Sequence, residues 1–154
     1  MPAWNETQAR EIIRRHSARE GALLPILHDV QAEFGCVPAE AVPLIAEALN
    51  LTRAEVHGVV SFYHDFRDKP AGRHVLKLCR AEACQSMNSE ALAQKVLDRF
   101  DLEWGETTPD GRVTVEAIYC LGLCATSPSL LVDERPMGRM TPQKFDALVK
   151  ELAS

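Results

Sequence analysis

A chain of 154 residues, 46% apolar and 25% charged, has the balance of a globular protein and the length for one ordinary domain or two small ones sharing an interface. A net charge of −5 with no dense Lys/Arg tract argues against a nucleic-acid partner. No apolar stretch approaches bilayer length and "MPAWNETQAREIIRRHSARE" lacks the apolar core of a secretory signal, so the expectation is a cytoplasmic protein with no direct membrane insertion.

Residues 1–68 read as helices throughout. "NETQAREIIRRHSA" offers Asn5 or Thr7 as an N-cap, with Ile12, Ile13 and His16 on roughly one face. "LLPILHDVQAEFG" repeats apolar residues at helical spacing, with Pro25 suited to a first turn and Gly35 to the position past the helix end. "PAEAVPLIAEALN" predicts a third helix starting near Pro38 and ended by Asn50. Thr52 and Glu55 form a capping-box pattern that opens a fourth, whose Val56, Val59, Val60 and Tyr63 are expected to pack inward. This half is read as a helical bundle.

"RDKPAGR" combines Pro, Gly and charge, and marks a domain boundary; the second domain is taken as 73–154. "HVLKL" alternates like a strand and runs into Cys79. "SEALAQKVLDRF" is an amphipathic helix turning Leu92, Val96, Leu97 and Phe100 inward. After the turn signal "TPDG" comes "RVTVEAI", β-branched and alternating, a second strand. "SLLVD", a turn around "ERPMG" and a short "GRM" suggest a hairpin, and Thr141 with Pro142 opens the last helix, "PQKFDALVKELA". The expected class is α+β: a helical bundle followed by a β-α-β-β-α domain.

The chain has five cysteines. A reducing compartment disfavours structural disulfides, and an isolated thiol is commonly a small buried hydrophobe, which suits Cys36 in "EFGCVPAEA". The other four come as pairs, Cys79/Cys84 and Cys120/Cys124, each where strand-like sequence gives way to loop. If the two strands are parallel neighbours, both loops reach one edge of the sheet. Four thiolates there call for a cationic centre to neutralise them. The spacings favour an iron–sulfur cluster, which is wider than a zinc knuckle; zinc and unligated thiols remain alternatives. Small residues in "RAEACQS" and "LGLCATS" would let backbone N–H groups approach sulfur, and Arg80 could offset cluster charge or simply lie at the surface.

"KLCRAEAC" followed by "TTPDGRVTVEAIYCLGLCATSPSLLVD" resembles the thioredoxin-like [2Fe-2S] ferredoxin family, in particular the 24 kDa-type subunit of NADH dehydrogenases and its relatives in NAD-linked hydrogenases and formate dehydrogenases. The helical front half is similar too, so the resemblance spans nearly the whole chain. Within the family, "CRAEACQ", "HDF" and "YCLGLCATSPS" most resemble the gamma subunit of NAD-dependent, molybdenum-containing formate dehydrogenase. The resemblance implies a thioredoxin-like C-terminal domain, without the Cys-x-x-Cys pair of thioredoxins. It implies one [2Fe-2S] cluster held by Cys79, Cys84, Cys120 and Cys124, with Cys36 matching no ligand. It implies a partner subunit that binds FMN and NAD, on which the helical half docks, and beyond it a molybdenum-containing catalytic subunit. The alternatives are the equivalent subunit of an NADH–quinone oxidoreductase or NAD-reducing hydrogenase, or, in another class, a zinc-stabilised interaction module. Respiratory members often read Thr-x-x-x-Cys where this chain has "CRAEAC", which keeps the ligand count and points away from that branch.

Other candidates carry weaker signals. His57 and His64 read as ordinary helix histidines, and Phe62, Tyr63 and Phe66 as core aromatics or, in part, docking surface. Glu82 and Asp110 have no carboxylate partner for acid–base work and are assigned to the surface. No phosphate loop is found, so the chain is expected to have no catalytic residues of its own and to bind neither NAD nor substrate.

Overall fold

Asn5 opens the first helix, α1 (Glu6–His16), its side chain accepting the Gln8 N–H at 3.2 Å. The computed structural model describes residues 4–152, and the chain divides between Pro70 and Ala71 into two compact units. In the first, α2 (Leu23–Phe34) stops at Gly35, whose φ of 78° is left-handed. α3 (Ala41–Leu49) stops at Asn50 in the same conformation. α4 (Arg53–Phe62) opens with the complete Thr52/Glu55 capping box. Ile12, Ile13, Ile26, Leu27, Val30, Ile45 and Val56 form the buried centre of this unit.

In this unit two details differ from expectation. α3 begins at Ala41 because Pro38 lies in the preceding turn, where its carbonyl accepts the Ala41 N–H. Tyr63 does not share the inward face of Val56, Val59 and Val60: the helix ends at Phe62, and Tyr63 leaves it in an extended conformation. Phe66 is buried, but Phe62 and Tyr63 are exposed and stack edge-on at 5.1 Å.

The second unit holds a four-stranded mixed sheet, so the class is α+β. β1 (His74–Cys79) runs parallel to β2 (Val113–Ile118), pairing Leu76 with Val115 and Cys79 with Ile118. β3 (Leu130–Val132) is antiparallel to β1 and β4 (Arg135–Met137) antiparallel to β3, giving the order β2-β1-β3-β4. Between β1 and β2 lie a short α5 (Glu82–Ser86) and α6 (Ser89–Phe100); α7 (Pro142–Leu152) closes the unit. Alternate strand residues, Leu76 and Leu78, Val113 and Val115, Leu130 and Val132, form one core with Leu92 and Val96 of α6 and Phe145 and Leu148 of α7. That alternation makes two layers, sheet and helices.

The hairpin's second strand is Arg135–Met137 rather than "GRM". Only Asp133 and Glu134 separate the strands, Asp133 taking the positive φ (55°) that such a tight turn needs. Pro136 fits because β4 is an edge strand, where a residue without an N–H is tolerated. The expected helix end at Ala153 lies outside the described residues.

Candidate metal centre

β1 ends on Cys79 and β2 ends two residues before Cys120, so their parallel pairing brings both thiol-bearing loops to the same end of the sheet. The Cys79 N–H donates to the Ser129 carbonyl at 3.1 Å and the Arg80 N–H to the Ile118 carbonyl at 2.8 Å. The exit from β1 is thereby pinned on both sides. α5 then turns Cys84 into the interior, 2% exposed, beside the likewise buried Cys79.

The Cys84 sulfur lies 3.5 Å from Ser129 Oγ and 3.6 Å from Ser127 Oγ. Burial pushes this thiol up, but its hydrogen bonds with Ser129, Ser127 and Cys79 outweigh it and leave the group below the ordinary thiol range. As a thiol, Cys84 can donate to Ser127, whose own hydroxyl hydrogen goes to the Cys124 carbonyl at 2.8 Å. As a thiolate it can only accept, and Ser129 is free to donate.

The second loop is open to solvent. Cys120 takes a φ of 92° and Gly122 one of 76°, a tight wrap in which the Gly122 N–H donates to Cys120 Sγ at 3.3 Å. Cys124 starts a 3₁₀ turn (Cys124–Thr126), and its sulfur stands 3.6 Å from that of Cys120. A disulfide is about 2.05 Å long. Two thiolates each about 2.3 Å from one tetrahedral metal stand roughly 3.8 Å apart, close to what is seen. Cys124 is pushed up, first by its hydrogen bond with Cys120 and by that group's charge, then by burial and by the charges of Cys84 and Cys79. All four thiols therefore share one electrostatic neighbourhood, and a cation among them would relieve it.

All five cysteines are unbridged. The four come as two pairs rather than one knot: among the described residues, no group of three or more His, Cys, Asp or Glu side chains is gathered tightly enough for a single metal ion. A two-iron centre, each iron needing two protein sulfurs, is the group such a donor set fits.

Arg80 is only partly at the disposal of this site. Its guanidinium lies over the Trp104 ring at 5.0 Å and pairs with Glu90 at 3.1 Å, while its Nε is buried without a partner among the described residues. Cys36 is buried in the helical unit, its thiol pushed up by burial and by the charges of Asp68 and Glu40. His57 and His64 are exposed, as are Glu82 and Asp110. Thr108 and Arg112 hold the Asp110 carboxyl at about 2. Ser127 and Ser129 carried no expectation from the sequence; the signal available was their position around Pro128, just past the second thiol pair.

The model of the thioredoxin-like [2Fe-2S] ferredoxin family matches residues 9–153. The HndA subunit of a NADP-reducing hydrogenase from Solidesulfovibrio fructosivorans is 32% identical over 86% of this chain and 78% of its own length. A subunit of the NADH-quinone oxidoreductase of Mycobacterium bovis is 35% identical over 97% of this chain, which spans 59% of that protein. Among solved structures, an air-oxidized NAD+-reducing [NiFe]-hydrogenase superposes with a TM-score of 0.72 at 27% identity, covering 85% of this chain and 22% of the other.

Proposed function

The chain belongs to the thioredoxin-like [2Fe-2S] ferredoxin family, and on that premise we propose that it is the electron-transfer subunit of an NAD-dependent formate dehydrogenase, its cluster held by Cys79, Cys84, Cys120 and Cys124. When bound, the cluster supplies one-electron exchange. The observation that carries the ligand set is the Cys120–Cys124 sulfur pair, 3.6 Å apart, at the sheet end that also carries Cys79 and Cys84. Buried Cys79 and Cys84 exclude water from one side of the site, while exposed Cys120 and Cys124 leave the other side open to a partner. Tyr119 (72% exposed) and Met87 (56%) neighbour the two loops and add apolar surface for that contact.

The partner in this reading is a flavin- and NAD-binding subunit, which passes electrons onward from a molybdenum-containing one. The names of the hydrogenase and NADH-oxidoreductase relatives support the nicotinamide link. The helical unit, with Phe62 and Tyr63 exposed, is assigned to docking. Formate is supported by the local wording "CRAEACQ", "HDF" and "YCLGLCATSPS". A second reading, the same subunit in an NADH–quinone oxidoreductase or NAD-reducing hydrogenase, is favoured by the relatives' names. No helix among the described residues is long and apolar enough to cross a membrane, and unbridged thiols suit the reducing cytoplasm proposed for the complex.

Anaerobic purification with co-purifying partners tests this. The expected result is equal iron and acid-labile sulfide on this chain, a rhombic EPR signal after reduction, and formate-dependent NAD+ reduction by the complex. Stoichiometric zinc without iron rejects the cluster. Cluster-bearing protein that travels with nickel-enzyme or membrane-arm subunits, and is inert to formate, selects the second reading.

A further inference from the structure

Ser129 is a buried polar side chain, 3% exposed, in a unit whose interior is otherwise almost wholly apolar. It directly precedes β3, and because β3 runs antiparallel to β1 it faces the end of β1. There its carbonyl accepts the Cys79 N–H at 3.1 Å. The main chain is thus fixed by one thiol residue, and Oγ stands 3.5 Å from the sulfur of another, Cys84. Among the described residues, this hydroxyl makes no other hydrogen bond. Ser127 differs: it is only partly buried, lies 3.6 Å from the same sulfur, and gives its hydrogen to the Cys124 carbonyl.

A hydroxyl whose sole acceptor is a ligand sulfur acts on the electron affinity of the centre that sulfur holds. Adding one electron adds one negative charge, part of which falls on the thiolates, and a hydrogen bond to an anion strengthens as that charge grows. Water cannot replace the donor, because both the hydroxyl and the sulfur are buried. We propose that Ser129 is a potential-setting residue of this protein: its O–H donates to the Cys84 sulfur and raises the reduction potential of the cluster. The inference rests on Cys84 being a ligand.

The test is a redox titration of the full-length, cluster-loaded protein, followed by EPR. Ser129→Ala is expected to move the midpoint to a more negative value, and Ser127→Ala to move it less. Ser129→Thr and Ser129→Val differ in the hydroxyl at nearly equal volume, so they give the answer even if the alanine variant loses iron. The Thr variant should titrate above the Val variant. Equal midpoints for Thr and Val, an unchanged midpoint in Ser129→Ala with the cluster intact, or a larger shift in Ser127→Ala overturns the proposal. Cys84→Ser in parallel separates the two readings: a cluster fully retained there refutes the ligand assignment, whereas unchanged serine variants beside a lost Cys84→Ser cluster refute only the role of Ser129.

Discussion

Gly138→Ala tests how firmly the rest of the fold holds the outer thiol loop. Gly138 follows β4 and lies against Thr126, the last residue of the 3₁₀ turn that Cys124 begins. A Cβ at this position would stand 2.5 Å from Thr126 Oγ1, 2.8 Å from its Cβ and 2.9 Å from its carbonyl oxygen. Gly138 does not occupy the left-handed region, so alanine is tolerated by its own backbone and the cost is steric. Rotating the Thr126 side chain relieves only the first collision. The carbonyl cannot retreat freely, since it accepts the Arg139 N–H. Overpacking of this kind costs about 1–3 kcal/mol. For a unit of this size, each kcal/mol lowers the melting temperature by roughly 4–8 °C. Calorimetry of the metal-free protein should show that drop in the α/β unit alone, and the loaded variant should hold iron less well. Adding Thr126→Gly removes two of the three collisions and should restore part of the loss, a coupling that a double-mutant cycle measures. An unchanged melting temperature in Gly138→Ala, or no recovery in the double variant, would refute the reasoning.

Replacing Cys79, Cys84, Cys120 or Cys124 singly by Ser should abolish or greatly weaken the visible absorbance of the cluster, while Cys36→Ser should leave it intact; equal loss at Cys36 would mean the ligands are misassigned. Asp110 is held at about 2, below its ordinary 3.8, by the Thr108 hydroxyl and Arg112. A depressed carboxyl stabilises the fold above its unfolded value and loses that contribution as pH falls through about 2, so Asp110→Asn should lower the melting temperature at pH 7 by more than it does near pH 2. Phe145→Ala removes a fully buried ring that meets Phe100 edge-on at 6.3 Å, and urea unfolding should show a loss of about 3–5 kcal/mol.

What could be read from the sequence was what neighbouring residues decide. Asn5, Thr52 with Glu55, Gly35 and Asn50 each cap or end a helix through contacts within a few positions, and each does so in the structure. The two long strands announced themselves by alternation, and the pairing of the thiols by spacing. α5 leaves no sequence signal because its span, Glu82–Ser86, is too short to show a helical period. β4 lies upstream of the expected "GRM" because Pro136 reads as a turn residue until the strand is known to be an edge. The exposure of Tyr63 depends on where α4 stops, which the apolar pattern alone does not show. Ser129 meets Cys84 across 45 positions, through the β1–β3 pairing, and no local pattern carries that contact.

The unequal setting of the two thiol pairs follows from the topology. β1 is an inner strand, flanked by β2 and β3, so whatever its end carries is covered by neighbours on both sides. β2 is the outermost strand; residues 105–108 hydrogen-bond along the outer side of Val113–Val115, but at its far end, past Ile118, the departing loop has a strand neighbour on one side only. Cys79 and Cys84 are therefore buried and Cys120 and Cys124 exposed, by strand order rather than by any difference in the residues themselves. The same asymmetry separates two requirements of an electron carrier. A low-dielectric inner side is where one hydroxyl can weigh on the potential, and an outer side bare of covering chain is where a partner's redox group can come close. Moving the pairs to two inner strands would bury both and close the route for electrons. On two edge strands both would be exposed, and water would take the place that Ser129 holds.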